Sequence, residues 1–175
     1  DTLAFAAAKI NLMPVVYRKL GGAPDLLLTD LFDVVRWLPE APSDALWRGD
    51  LFKRLAAALL ATDQYPEVRA RAMAARIASR DKNVIFILRQ GLHAQDGDIR
   101  RLACIGMGAL GSPDAIGDLA PMLQDEEQNV RLAAALALGA IGSEKAMQHM
   151  IRGLFEADHD VRRAIAEAPA AIPSE

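Results

Sequence analysis

The sequence predicts an all-α fold, an α-α superhelix of stacked helix pairs with about five units. Three observations predict it. First, a β-branched residue followed by arginine recurs as Val68-Arg69, Ile99-Arg100, Val130-Arg131 and Val161-Arg162, each 31 residues after the last. A period in that range marks a stacked-repeat architecture. Second, the segments between these words carry apolar residues in one register: Ile85, Ile116 and Met147; Leu88, Leu119 and Met150; Leu92, Leu123 and Leu154. That spacing of three and four gives each second helix one buried face. Third, the 175 residues are 52% hydrophobic but only 5% aromatic, with Ala and Leu dominant, which favours helix.

In chain order, residues 1–12 read as a helix with Leu3, Phe5, Ile10 and Leu12 as its apolar positions. Pro14 can open a second helix, because its missing N–H costs nothing in a first turn. Gly21-Gly22 stops it. Pro24-Asp25 is expected to open a third helix that Pro39 closes, and Ser43 to N-cap a long fourth. Phe52, Leu55 and Leu59 keep helical spacing there. This stretch carries an eroded copy of the repeat: Leu28-Thr29-Asp30 and Val35-Arg36 parallel Ala61-Thr62-Asp63 and Val68-Arg69 at an offset of 33. Before Asp25 no register is assigned.

From Asp63 the pattern is regular. Asp96, Glu127 and Asp158 stand three residues before the Ile or Val, placed to cap a helix or favour its positive end. Pro66 supplies a first-turn proline in the first copy. First helices follow, carrying small residues in register: Ala72, Ala103 and Ala134, then Ala75, Gly106 and Ala137. Small side chains let stacked helices approach closely. Gly111 and Gly142 end these helices. After Val161-Arg162, Pro169 and Pro173 interrupt, so the stack is either capped there or cut. The expectation is one repeat domain over 1–175: divergent repeats over 1–62, regular ones over 63–168, and a tail at 169–175. With no initiating Met, the chain reads as a domain excised from a larger protein.

Composition excludes some functions. The net charge of −3 provides no global field for nucleic acid or an anionic membrane. One cysteine, Cys104, allows no intrachain disulfide and suits a reducing, cytoplasmic setting. No apolar run reaches the ~18 residues of a membrane span, and no basic n-region marks a signal peptide.

The words EQNVRLAAALALGAIG at 127–142 and DGDIRRLACIGMGALG at 96–111 resemble the HEAT-like repeat, of the short type associated with phycocyanobilin lyases. The resemblance is good over about 63–168 and weaker over 25–62. It implies antiparallel helix pairs in a right-handed superhelix, with the second helices lining a concave side. It also implies a non-enzymatic scaffold that binds another protein or peptide. A bilin lyase or chaperone role is the alternative that the family association implies. Deoxyhypusine hydroxylase, in the same superfamily, holds iron through repeated His-Glu pairs. Here His93, His149 and His159 are followed by Ala94, Met150 and Asp160, so that activity is argued against.

Each candidate site has a bland counterpart. The arginines Arg36, Arg69, Arg100, Arg131 and Arg162 could track phosphates. The favoured reading pairs each with acids in register, such as Asp98 or Asp160. A basic band of Arg69, Arg71, Arg76, Arg80, Lys82 and Arg89 precedes seven acids over 94–127, and offers an alternative nucleic-acid surface. Ordinary variation of solvated faces gives the same banding. Cys104, among small apolar residues with no activating His in register, reads as an inert buried thiol. No catalytic residue, metal site or cofactor is expected. The candidate binding residues are second-helix positions outside the apolar register. They are Asn83, Phe86, Gln90 and His93; Asp114 and Asp118; and Lys145, Gln148, His149, Arg152 and Phe155. They differ between copies while the core positions do not, as in a diversified contact surface or in the drift of an unused one. Phe86 and Phe155 are either exposed anchors or edge packing.

Overall fold

The structure, a computed structural model, describes residues 12–79, 84–154 and 159–167. Among them the regular structure is helical throughout, the all-α helical-repeat class that the period predicts. The chain divides into two compact units, 1–81 and 82–175. The expected helix at 1–12 and the Pro169–Pro173 interruption lie outside the described residues, apart from Leu12.

In the first unit, α1 spans Met13–Leu20 with Pro14 in its first turn and Val16 and Leu20 buried. Gly21 ends it by donating its N–H to the Tyr17 carbonyl at 2.8 Å. The third predicted helix is shorter than expected. Helix α2 covers only Thr29–Val35, because Leu28 adopts a left-handed conformation with φ 53°. The Asp25 carboxylate holds that bend by accepting the N–H groups of Leu27 at 2.9 Å and Thr29 at 3.0 Å. Pro39 sits inside a 3-10 turn, Leu38–Glu40. Helix α3 spans Trp47–Leu60, so Ser43 does not cap it, and its N-cap residue is Leu46. Helix α4 is Pro66–Ala78, opened by its proline as predicted. The core of this unit gathers Trp37 and Trp47 with Phe32, Leu51, Leu55 and Leu59, all buried. Phe52 is only half-buried.

The eroded repeat word is corrected here. Val68-Arg69 lies in the first turns of α4, whereas Val35 is the last residue of α2 and Arg36 its exposed C-cap. Arg36 therefore does not belong to the arginine series. The dipeptide falls at the far end of α2 because that helix stops at Val35, just before the 3-10 turn Leu38–Glu40.

In the second unit, α5 is Val84–Leu92 and α6 is Gly97–Leu110. The next second helix is broken into a 3-10 turn Pro113–Ala115, a short α7 at Ile116–Leu119 and a 3-10 run Ala120–Gln124. Pro121 has no N–H to carry an α-helical ladder through that point. Leu119 and Leu123 stay buried all the same, so the apolar register outlasts the helix type. Then come α8 at Gln128–Ile141, α9 at Glu144–Leu154 and α10 at His159–Glu167.

Helices α6 and α8 pack along their lengths. A Cβ on Gly108 would lie 2.7 Å from the Ala137 Cα, so a glycine is required for that approach. Ala103 and Ala134 are buried on the same helices, as is Ala72 on α4 in the first unit. Gly111 and Gly142 take φ 63° and 64°, the left-handed C-terminal stop that glycine adopts without steric cost. Asp96 caps α6 by accepting the Asp98 N–H at 2.8 Å. Glu127 occupies the N-cap of α8 but its side chain does not cap. Instead Asp125 accepts the Glu127 N–H at 2.9 Å. Asp158 lies outside the described residues.

Candidate functional site

Arg69, Arg100 and Arg131 prove structural, each through carbonyls of its entering turn, which the sequence did not point to. Arg69 donates to the carbonyls of Ala61 at 3.0 Å and Thr62 at 2.8 Å. Arg100 donates to Ala94 at 3.0 Å and Gln95 at 2.8 Å, and Arg131 to Asp125 at 2.8 Å and Glu126 at 3.0 Å. Each guanidinium thus satisfies carbonyls of the turn that enters its own helix, groups that would be costly to leave unpaired. Asp98, expected as a ladder acid, pairs with Arg101 at 3.2 Å instead. The Asp160 side chain lies outside the described residues, and Arg162 is exposed.

Arg100 does more. Its Nε and Nη2 engage both carboxylate oxygens of Asp125 at 2.8 and 3.0 Å, with Glu126 at 3.2 Å. Both side chains of the Arg100–Asp125 pair are under a tenth exposed, at 8% and 7%. Burial opposes ionisation of Asp125. The hydrogen bonds from Arg100 and the Glu127 amide, with the charges of Arg100 and Arg131, prevail and hold its carboxyl below the usual range. The Asp125 hydrogen bond likewise raises Arg100, against the burial that would lower it.

Among the described residues, the basic band engages its cations in internal contacts. Arg69 is consumed as above. Arg76 is buried over the Phe52 ring at 4.6 Å and donates to the Phe52 carbonyl at 3.3 Å. Arg71 covers the Phe32 ring at 4.0 Å. Arg89 pairs with Asp118 at 2.7 Å, and Arg80 and Lys82 lie outside the described residues. A guanidinium already stacked or paired inside its own fold has little left for a phosphate backbone.

Cys104 is fully buried, and burial pushes its thiol up to about 12. It holds almost no thiolate near neutrality and is a poor nucleophile. No group of His, Cys, Asp and Glu able to hold a metal occurs among the described residues.

The second-helix face remains. Phe86 and Gln90 project from α5 as exposed side chains, Phe86 at 60%, and His93 is exposed just past its end. Phe86 is therefore an exposed side chain rather than edge packing. Asp114 is exposed in the 3-10 turn, and Asp118 on α7 is half-buried under its Arg89 pair. On α9, Lys145, Gln148 and Arg152 are exposed and His149 is half-buried. Asn83 and Phe155 lie outside the described residues. The structure thus places these side chains on the second-helix segments of one unit, above the buried Leu88, Leu119 and Met150.

A second surface was not anticipated. Ile105 on α6 and Leu136 on α8 are 44% and 53% exposed, and with Leu132, Ala133, Asn129, Asp98 and Arg101 they line an open groove of about 380 Å³. The two residues stand 31 apart, six after the Ile99 and Val130 of the repeat word. That offset was the signal available in the sequence. The preceding copy has Ala74 there, so the position does not read as conspicuously apolar.

Residues 85–170 match the family described as HEAT repeats. The match begins inside α5 and runs through the regular copies. No curated protein matches the chain. An association with bilin lyases is not part of what the match shows. No helix among the described residues is long and apolar enough to cross a membrane.

Proposed function

We propose that this chain, a HEAT-like repeat protein, is a non-enzymatic scaffold that holds another protein along the outward face of α5, the 113–124 segment and α9. HEAT repeats are commonly interaction scaffolds, and the family is generally non-catalytic. One observation carries the finer reading. Positions one repeat apart keep their apolar character inside the fold and lose all likeness outside it. The buried series Leu88, Leu119, Met150 sits under the outward series Phe86, Gly117, Gln148 and Gln90, Pro121, Arg152. A rigid helical frame presents such a surface with little ordering cost on binding. Phe86, a largely exposed aromatic, is the natural anchor.

The test starts from a partner captured by cross-linking from the native source. Phe86→Ala should weaken that complex by about thirtyfold, the ~2 kcal/mol of an anchor side chain. Leu136→Ser, on the first-helix groove, should leave it unchanged. If the first-helix change abolishes binding and Phe86→Ala does not, the partner uses the other face and the reading fails.

A further inference from the structure

We propose that the outer face of α9 docks an acidic peptide segment, its carboxylates meeting Lys145 and Arg152 and an apolar side chain meeting Ile151. The inference rests on the scaffold reading and gives the partner its chemistry. Lys145, His149 and Arg152 stand at i, i+4 and i+7 of α9, so they share one face. Their Cα atoms rise over about 10 Å, the reach of some three residues of extended chain. Ile151 is 48% exposed beside Arg152.

Among the described residues, no carboxylate pairs with the cations of this face. Arg89 is paired with Asp118, Arg100 with Asp125, Arg101 with Asp98, and Arg131 with turn carbonyls. Lys145 and Arg152 make no hydrogen bond or ion pair among the described residues, and the acidic residue of α9 itself is Glu144, in its first turn. Glu156 and Asp158, next in sequence, lie outside the described residues. A peptide fits better than a nucleic acid. A duplex carries a charge every ~1.7 Å of axis and calls for a longer run of cations than the two here, whereas an exposed isoleucine flanking Arg152 can meet an apolar side chain.

Fluorescence anisotropy with the full chain tests this. The probe is a labelled peptide of alternating Glu and Ala with a central Leu. Its Gln isostere and a short DNA duplex are the comparisons. The acidic peptide should bind, weaken with salt, and exceed its isostere by about tenfold or more. Lys145→Glu with Arg152→Glu should abolish that preference. Lys53→Glu with Arg54→Glu, an equal charge change on α3, should leave it largely intact. Ile151→Ser should cost a few-fold in affinity. Absence of acidic-peptide binding, equal loss in the α3 control, or a preference for the duplex overturns the inference. If the captured partner survives reversal at Lys145 and Arg152 but not Phe86→Ala, the scaffold reading stands and this one falls.

Discussion

The units 1–81 and 82–175 terminate and join their helices by different means. In the second, α6 begins at a carboxylate cap, Asp96, and α6 and α8 end at glycines with positive φ. The Arg100 and Arg131 guanidinium groups close the entering turns, as Arg69 does for the one regular helix of the first unit, α4. These devices recur because the repeat recurs. In the first unit, α2 begins after a left-handed leucine, and neither α2 nor α3 has a side-chain cap bond. Its cohesion comes from larger pieces: two buried tryptophans, Arg48 donating to the carbonyls of Leu38 and Ala41, and arginines stacked on Phe32 and Phe52. A regular repeat can hold its helices with small residues and short-range caps. A divergent one fills the same need with bulky side chains and long arginine arms.

The largest expected difference comes from the same dipeptide in its two settings. Arg100→Met strands the buried Asp125 carboxylate and the carbonyls of Ala94 and Gln95. It should cost about 3–5 kcal/mol in urea unfolding, the penalty for half of a buried ion pair. Arg36→Met, at an exposed helix end, should stay within about 0.5 kcal/mol, since solvent screens whatever contact it makes. Similar losses at both sites would mean that Arg36 holds its turn as Arg100 does, and would restore it to the series.

Acid should sharpen the contrast further. Asp125 has its folded pKa depressed, so the stability it contributes is present above the unfolded carboxylate value of about 3.9 and is lost as pH falls through the lower folded value. Asp125→Asn should flatten that acid limb. The effect should be smaller than that of Arg100→Met, because a neutral side chain of the same shape still accepts a hydrogen bond. An unchanged limb in Asp125→Asn would move the acid sensitivity elsewhere. Asp25, lowered by its hydrogen bonds to the Thr29 backbone and side chain, is then the first group to examine.

The regular unit was legible in the sequence because its information is local and repeated. Asp96, Gly111, Gly142 and the Leu88–Leu119–Met150 series all sit where the 31-residue period puts them. What stayed hidden depends on three-dimensional partners. The period shows that an arginine recurs but not that it faces the carbonyls of its entering turn, joined at Arg100 by the acids Asp125 and Glu126. It does not show that Pro121 divides a helix while leaving its buried face intact. Composition likewise suggested a basic band, yet rings and carboxylates distant in sequence take up Arg71, Arg76 and Arg89. Of the candidate surface, register alone pointed to the exposed Gln90, His93, Asp114, Lys145, Gln148 and Arg152, but it left Phe86 open and did not show that Asp118 and His149 are half-buried. The groove at Ile105 and Leu136 was not, since two copies of a position make a weak pattern.

Two of the left-handed residues, Gly111 and Leu28, offer the smallest and most local comparison. Gly111 terminates α6 at φ 63° with open space around a built Cβ, so Gly111→Ala meets no steric neighbour. It should nevertheless cost about 1 kcal/mol, purely from backbone conformation. Leu28 already bears that cost at φ 53°. Leu28→Gly relieves it while deleting a half-buried side chain and loosening the unfolded chain, and these effects oppose one another. The net loss should be under about 0.5 kcal/mol, far less than truncation of a leucine in an ordinary conformation. If Leu28→Gly instead costs several times Gly111→Ala, packing rather than the Asp25 turn holds the bend. The first unit would then set even its turns by bulk, and the contrast in how the units end their helices would be greater still.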